Sequence, residues 1–255
     1  MTSLQLGGLV FLCLCLATAI GMLARNRLPG HHLNPDSKDV IRLATAVVGT
    51  LSALALGLLI ASAKNAYDDA DTEMRSSAAH ILLLDRVMAH YGPETDEARA
   101  HLCNLVERRL ARGWSLSTSD QASGTSAAEY QDIEAVQNNL RSLTPATEAQ
   151  RLIRARALDV SGQVAEAHWL LVETGSEGLP WAFLFVLIFW LALLFATFGL
   201  QTPTNPTVVC ILTVCALSVA GAIFLIVDMD NPYAGWIHIT NAPLRSALER
   251  MGQPS

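Results

Sequence analysis

The chain has 255 residues, of which 51% are apolar and only 16% charged, and its formal net charge is −6. This apolar fraction and a mean hydropathy of +0.34 are high for a soluble protein. The acidic balance, without a basic patch interleaved with aromatic residues, argues against a nucleic-acid partner. Five cysteines are present. Only Cys103 lies in a polar region, which excludes a disulfide framework there.

Four uncharged stretches are long enough to cross a bilayer. A transmembrane helix needs about 20 mostly apolar residues. Hydrocarbon offers backbone groups no partner, so such stretches form helices or closed barrels. None of them alternates with period two, which leaves helices. The predicted spans are 4–24, 43–63, 179–200 and 208–227.

The order of these spans predicts the fold class: an all-α membrane protein in which two pairs of transmembrane helices flank a long helical extramembrane domain. The corresponding segments are 1–64, 65–178, 179–228 and a C-terminal tail, 229–255. Four crossings place both termini and the extramembrane domain on one side of the membrane. The short loop 25–42 carries four basic residues, which by itself favours a cytoplasmic loop.

The second span is predicted to continue as one long helix outside the membrane. Apolar or small residues recur in alternating steps of three and four, a heptad seam. Gly92-Pro93 then ends a helix of about 50 residues, or about 75 Å. The seam pairs with a second seam over 153–171 or with other copies of the chain. Its members are Tyr67, Ala70, Met74, Ser77, Ile81, Leu84, Met88 and Tyr91.

Small residues recur every four positions in the second span, at Gly49, Ala53, Gly57 and Ala61. Such a stripe allows close helix approach in lipid. Two interpretations stay open: packing against another span of the same chain, or self-association around a symmetry axis. The span contains no charge, which argues against a proton relay or a charged transport site within it.

Shorter helices follow in the polar part of the chain. Pro93 opens one that runs to about Arg112, and a loop rich in Ser, Thr and Gly precedes helical patterning at 127–143. Thr144-Pro145 predicts a capped helix start. In the tail, Pro243 opens a short amphipathic helix that docks on the extramembrane domain or lies at the membrane interface.

Two polar clusters near the membrane have alternative interpretations. His31 and His32, with Asp36, are weak candidates for a metal site or a pH-sensitive gate. Alternatively Asn34-Pro35 begins a helix and Asp36 faces its dipole in the first turn. The run from Asp68 to Glu73 either lines a cation-concentrating vestibule or forms the solvated start of the extramembrane helix. The sequence contains no recognised catalytic or nucleotide-binding motif, so we expect neither an enzyme nor a cofactor.

The loop and the second span resemble a family of prokaryotic membrane proteins called bestrophin-like. The resemblance rests on Leu28-Pro29-x-His31-His32-Leu33 with the following Asp36-Ser37-Lys38-Asp39, and on further motifs over nearly the whole chain. These are Ser62-Ala63-Lys64-x-x-Tyr67-Asp68, Leu84-Asp85-Arg86, His90-Tyr91-Gly92-Pro93 and Pro243-Leu244-Arg245-x-Ala247-Leu248. Asn231-Pro232-Tyr233-x-Gly235 is similar to the Asn-Pro-Phe-Gly of bestrophin chloride channels.

The resemblance implies a channel whose second helix lines a pentameric pore with bulky apolar residues. The matching candidates here are Val47, Val48, Leu51 and Leu54. In bestrophins an acidic cluster that helps to bind calcium follows the Asn-Pro motif. This chain has Trp-Ile-His-Ile-Thr-Asn there instead, which argues against calcium gating. The resemblance also implies a cytoplasmic extramembrane domain, opposite to the basic loop's indication.

Two function classes follow from these observations. The first is a homo-oligomeric ion channel or pore in a prokaryotic inner membrane, with the bilayer and permeating ions as partners. The second is a non-conducting membrane scaffold or signalling protein whose long helices bind other proteins. Because fold alone does not establish function, current across a bilayer is the measurement that separates them.

Overall fold

The computed structural model describes residues 2–27, 35–112, 125–174, 181–201, 205–230, 232 and 235–251. Within these residues the chain forms eight α-helices and a short 3₁₀ turn at Pro93–Thr95. The helices are α1 (Ser3–Arg27), α2 (Pro35–Tyr91), α3 (Asp96–Arg112), α4 (Thr125–Ser142), α5 (Glu148–Thr174), α6 (Trp181–Gln201), α7 (Pro206–Met229) and α8 (Ala242–Met251). The all-α fold class is confirmed.

Four of these helices are long and apolar enough to cross a membrane: α1, α6, α7 and the apolar part of α2. They contain the four predicted spans, apart from 179–180, which lie outside the described residues. The second is the long helix that the heptad pattern predicted, with 57 residues from Pro35 to Tyr91. It ends where Gly92 takes a φ of 133°, a conformation that side-chain-bearing residues rarely adopt.

The chain divides into two compact units. The first combines residues 1–67 with 179–237, and the second combines 68–178 with 238–255. Helix α2 supplies residues to both units. The tail, predicted as a separate segment, is divided between them.

In the first unit α1 packs against both α6 and α7. The interior is apolar and includes the fully buried Leu14, Leu187 and Ile223. Helix α2 adds Leu59 and Ala63 to the same core. Hydroxyl groups in these helices donate to carbonyl oxygens of their own helix, as Thr18 Oγ1 does to Leu14 O at 2.9 Å. Such bonding keeps hydroxyls satisfied in hydrocarbon.

The closest helix crossing in this unit lies between α1 and α6 and depends on two glycines. A Cβ atom added at Gly21 would collide with the backbone of Ala196, and one added at Gly199 would collide with the carbonyl of Thr18. Each helix therefore presents a glycine to the backbone of the other. The sequence analysis placed its small-residue stripe on α2 and did not identify this crossing.

The second unit buries the heptad seam of α2 inside one chain. Met74, Ile81 and Met88 have no exposed surface, and Ser77, Leu84 and Tyr91 are also buried. The second seam contributes Ala157, Val160 and Val164 from α5. The hypothesis that the first seam mediates contacts between copies is therefore wrong for these residues, because their surfaces are already covered within the chain.

An ion pair with a buried carboxylate stabilises the second unit. Arg99 Nε lies 2.8 Å from Oδ1 of Asp85, whose side chain is 1% exposed.

The predicted start of α5 at Thr144-Pro145 is wrong: the helix begins at Glu148. The backbone N–H of Gln150 donates to Thr147 Oγ1 at 3.1 Å, so Thr147 caps the helix. The predicted tail helix is confirmed as α8, which packs against α3 through Leu244, Ala247 and Met251.

We expect Gly21→Ala and Gly199→Ala each to destabilise the first unit by about 1–3 kcal/mol, because backbone atoms cannot move aside as flexible side chains do. Gly8→Ala is the matched control, since no atom of the described chain lies within 4 Å of a Cβ added there. The measurement is the thermal unfolding midpoint in detergent. Equal midpoints for the three variants would contradict the close crossing.

Candidate pore-lining helix and carboxylate clasp

The membrane part of α2 is covered by its own chain less than any other span. In its most apolar stretch of 18 residues only 6% are buried, against 28% in α1, 33% in α6 and 22% in α7. Ser52, Leu59 and Ala63 mark the one side that faces the core. The opposite side of α2 is thus open to lipid or to another protein surface.

Three of the four predicted pore-lining residues lie on the open side. Val47 is 53% exposed, Leu51 46% and Leu54 73%. Their spacing of four and three residues places them on one helical face. Val48 is different, because it packs against the core of the first unit. Within one chain, therefore, the structure brings Val47, Leu51 and Leu54 together and separates Val48 from them.

The small-residue stripe is also largely uncovered. Ala53, Gly57 and Ala61 are exposed, and no atom of the described residues approaches within 4 Å of a Cβ added at Gly57. Only Gly49 approaches a neighbour: an added Cβ would lie 4.0 Å from Cδ2 of Leu194. Packing within the chain thus accounts for the first residue of the stripe and leaves the other three open.

The polar side chains in this part of α2 add little polarity to its surface. Thr45 Oγ1 donates to Ile41 O at 2.7 Å, Thr50 Oγ1 to Val47 O at 2.8 Å, and Ser52 Oγ to Val48 O at 2.8 Å. The open face therefore presents methyl groups and small side chains.

The acidic residues from Asp68 to Glu73, which follow the second span, lie in different environments. Asp68 and Asp69 are exposed, whereas Asp71 Oδ2 accepts a hydrogen bond of 2.8 Å from Arg75 Nε. Burial raises the pKa of Glu73 above its ordinary value, because the charged form loses hydration. The exposed Asp68 and Asp69 and the pairing of Asp71 within the same helix favour the interpretation of the run as the start of a solvated helix.

The predicted metal site cannot be placed. His31 and His32 and the side chain of Asp36 lie outside the described residues. In the described part of the chain no group of three or more His, Cys, Asp or Glu side chains is arranged to hold a metal ion. The alternative helix start is consistent with the structure, in which α2 begins at Pro35.

A buried carboxylate at the end of α7 forms a clasp that the sequence analysis did not identify. Asp228 is completely buried and accepts three hydrogen bonds. Ser3 Oγ donates to its Oδ1 at 2.6 Å, the N–H of Trp236 to Oδ1 at 3.0 Å, and the N–H of Ile237 to Oδ2 at 2.8 Å. We call these four residues the Asp228 clasp. It joins the start of α1 to the segment that follows α7.

Close packing around Gly235 completes the clasp. A Cβ atom there would lie 2.8 Å from both the carbonyl oxygen and Oδ1 of Asp228, so a side chain would push the following N–H groups away. The signal for this arrangement in the sequence is weak: one acidic residue at the end of an apolar span and a glycine seven positions later. Its partner Ser3 is too distant in sequence for a spacing rule to find it.

A known protein family matches most of the chain. Residues 12–244 match the profile of the Bestrophin-like domain. The chain belongs to the bestrophin-like family. Among functionally curated proteins, none matches the sequence significantly.

Solved structures of a bacterial bestrophin homologue from Klebsiella pneumoniae share the fold of this bestrophin-like protein. One has a TM-score of 0.71 at 12% identity, over 97% of this chain and 99% of that chain. Single-residue variants of the homologue give 0.69 at 14% identity, over 96% and 98% of the two chains, and 0.64 at 16% identity, over 99% of each. At such identities the likeness shows the fold.

We expect Asp228→Ala to lower the free energy of unfolding by about 2–3 kcal/mol, because two backbone N–H groups lose a charged acceptor. Ser3→Ala removes one donor and costs about 1–2 kcal/mol. Glu249→Gln, at an exposed position of α8, serves as the control. Thermal unfolding and limited proteolysis at 235–241 measure the effect. A protease-resistant Asp228→Ala variant with an unchanged midpoint would exclude the clasp.

Proposed function

We propose that this bestrophin-like protein is an oligomeric ion channel or pore in which α2 from several copies surrounds the conducting path. The observation that carries the proposal is the open face of α2, the span least covered by its own chain. The uncovered bulky apolar residues of α2 are suited to line a path. Its uncovered small-residue stripe is suited to contact a neighbouring helix. The family membership supports the same function by analogy.

In this proposal the two sets of open residues have different roles. Ala53, Gly57 and Ala61 allow neighbouring helices to approach closely, as small residues do in lipid. Val47, Leu51 and Leu54 narrow the path with apolar side chains, which sets a barrier to hydrated ions. Val48 supports the helix from behind by packing against the core of its own chain.

Assembly and conduction are tested with substitutions that the single chain tolerates. We expect Gly57→Leu to reduce the number of copies per particle in mass photometry, because the larger side chain separates neighbouring α2 helices. Gly8→Leu is the matched control, an equally open glycine on α1. We expect Leu54→Ala to increase the current of purified protein in a planar bilayer, whereas Leu12→Ala, 59% exposed on α1, leaves it unchanged.

The outcomes separate the two function classes. Current from the wild-type assembly, altered by Leu54→Ala alone, supports the channel. An assembled wild-type protein without current under any ionic condition would contradict conduction and favour the scaffold. A single copy per particle, unchanged in Gly57→Leu, would remove the structural basis of the proposal.

We also propose that the protein lies in the prokaryotic inner membrane with its second unit in the cytoplasm. Cys103 is a poor reporter, because burial, and next the negative charge of Asp85, raise the pKa of its thiol and reduce its reactivity. A cysteine-free background with Asn26→Cys or Ser246→Cys, both at exposed positions, is preferable.

A membrane-impermeant maleimide applied to intact cells should label Asn26→Cys directly, and Ser246→Cys only after permeabilisation. The reverse pattern would place the second unit outside and agree with the basic loop being cytoplasmic.

A further inference from the structure

Helix α1 makes a close contact with α7 near its start and with α6 near its end. Near its start, α1 is joined to α7: Ser3 bonds Asp228, and a Cβ at Gly7 would lie 3.0 Å from Cβ of Phe224. Near its end, α1 is drawn to α6 by the crossing of Gly21 with Ala196. At the same end of α1, a groove lies between α1 and α7.

The groove is lined by residues of both α1 and α7. Its volume is about 160 Å³, and its walls include Cys15, Ala19 and Met22 of α1 with Leu212 of α7. The lining of α1 extends over eight residues, from Cys15 to Met22, or about 10 Å of helix. The groove is thus long and narrow. Apolar cavities of about 150 Å³ hold a benzene-sized molecule, so the space admits a segment of a hydrocarbon chain.

The polar atoms in the walls do not point to a polar ligand. The two threonines that line the groove bond to their own helices: Thr18 Oγ1 donates to Leu14 O at 2.9 Å and Thr213 Oγ1 to Val209 O at 2.8 Å. No charged residue is among the lining residues. A headgroup or an ion would find no complementary charge there, whereas a methylene chain needs none.

We propose that this groove binds one acyl chain of a membrane phospholipid. The groove is continuous with the lipid-facing surface, since Leu16 and Ile20 of α1 and Ile211 of α7 are 54%, 62% and 56% exposed beside it. All of its lining residues belong to helices long and apolar enough to cross the bilayer. The bound chain fills the space between α1 and α7 and makes van der Waals contacts with both helices.

The proposal is tested in vesicles of phosphatidylcholine that carry a photoreactive diazirine near the terminal methyl of one acyl chain. After illumination, peptide mass spectrometry maps the adducts. We expect the lining residues Cys15, Ala19, Met22 and Leu212 to carry more adducts than Leu12, which faces lipid outside the groove. Ala19→Phe fills the groove and should reduce its adducts to the level at Leu12. Ile20→Phe, at the adjacent lipid-facing position, should leave them unchanged.

Leu212→Phe fills the groove from the α7 wall. It is a second filled variant that keeps the test valid if Ala19→Phe does not fold. The unfolding midpoint and the number of copies per particle are measured for each variant. Groove adducts that disappear in either well-folded filled variant support the proposal. Uniform adducts along α1, equal adducts in filled and parent proteins, or crosslinks from the groove to a second copy of the chain would each overturn it. These outcomes do not depend on whether the protein conducts ions.

Discussion

Hydrocarbon offers no partner to a backbone N–H or C=O and little hydrophobic gain to two helices that meet. Helices in the membrane are therefore held together by close packing and by the few polar groups that they can satisfy internally. The first unit uses both means. Gly21 and Gly199 bring two helix backbones together. Asp228 accepts hydrogen bonds from Ser3 near the other end of the chain and from the nearby Trp236 and Ile237.

The same dependence on close packing applies to the uncovered side of α2. A span stabilised within its own chain would show a close partner along its length, as α1 does at Gly7 and Gly21. Helix α2 has its buried residues on one side and its small-residue stripe on another, with Gly57 facing open space. In lipid, an uncovered stripe of this kind allows a further helix to approach closely. In the proposed oligomer, a second copy of α2 supplies that helix.

The sequence predicted those features that depend on short-range patterns. Uncharged stretches identify the spans, Gly92-Pro93 marks the end of α2, and heptad spacing identifies the residues that the second unit buries. The pattern could not say which surface the seam would contact, because intramolecular and intermolecular seams have the same spacing. It also favoured Thr144 over Thr147 as the cap of α5, although Thr147 and Gln150 have the spacing of a capping box.

The features that the sequence did not reveal depend on residues far apart in the chain. Nothing local distinguishes Gly21 or Gly199 from Gly8, which faces open space. Ser3 and Asp228 are separated by almost the whole sequence, and only folding brings them within 2.6 Å. Asp228 precedes the Asn-Pro motif, and its carboxylate oxygens accept hydrogen bonds from the chain itself. Donors within the chain thus tie Trp236 and Ile237 to the end of α7, and Ser3 ties the start of α1 to the same carboxylate.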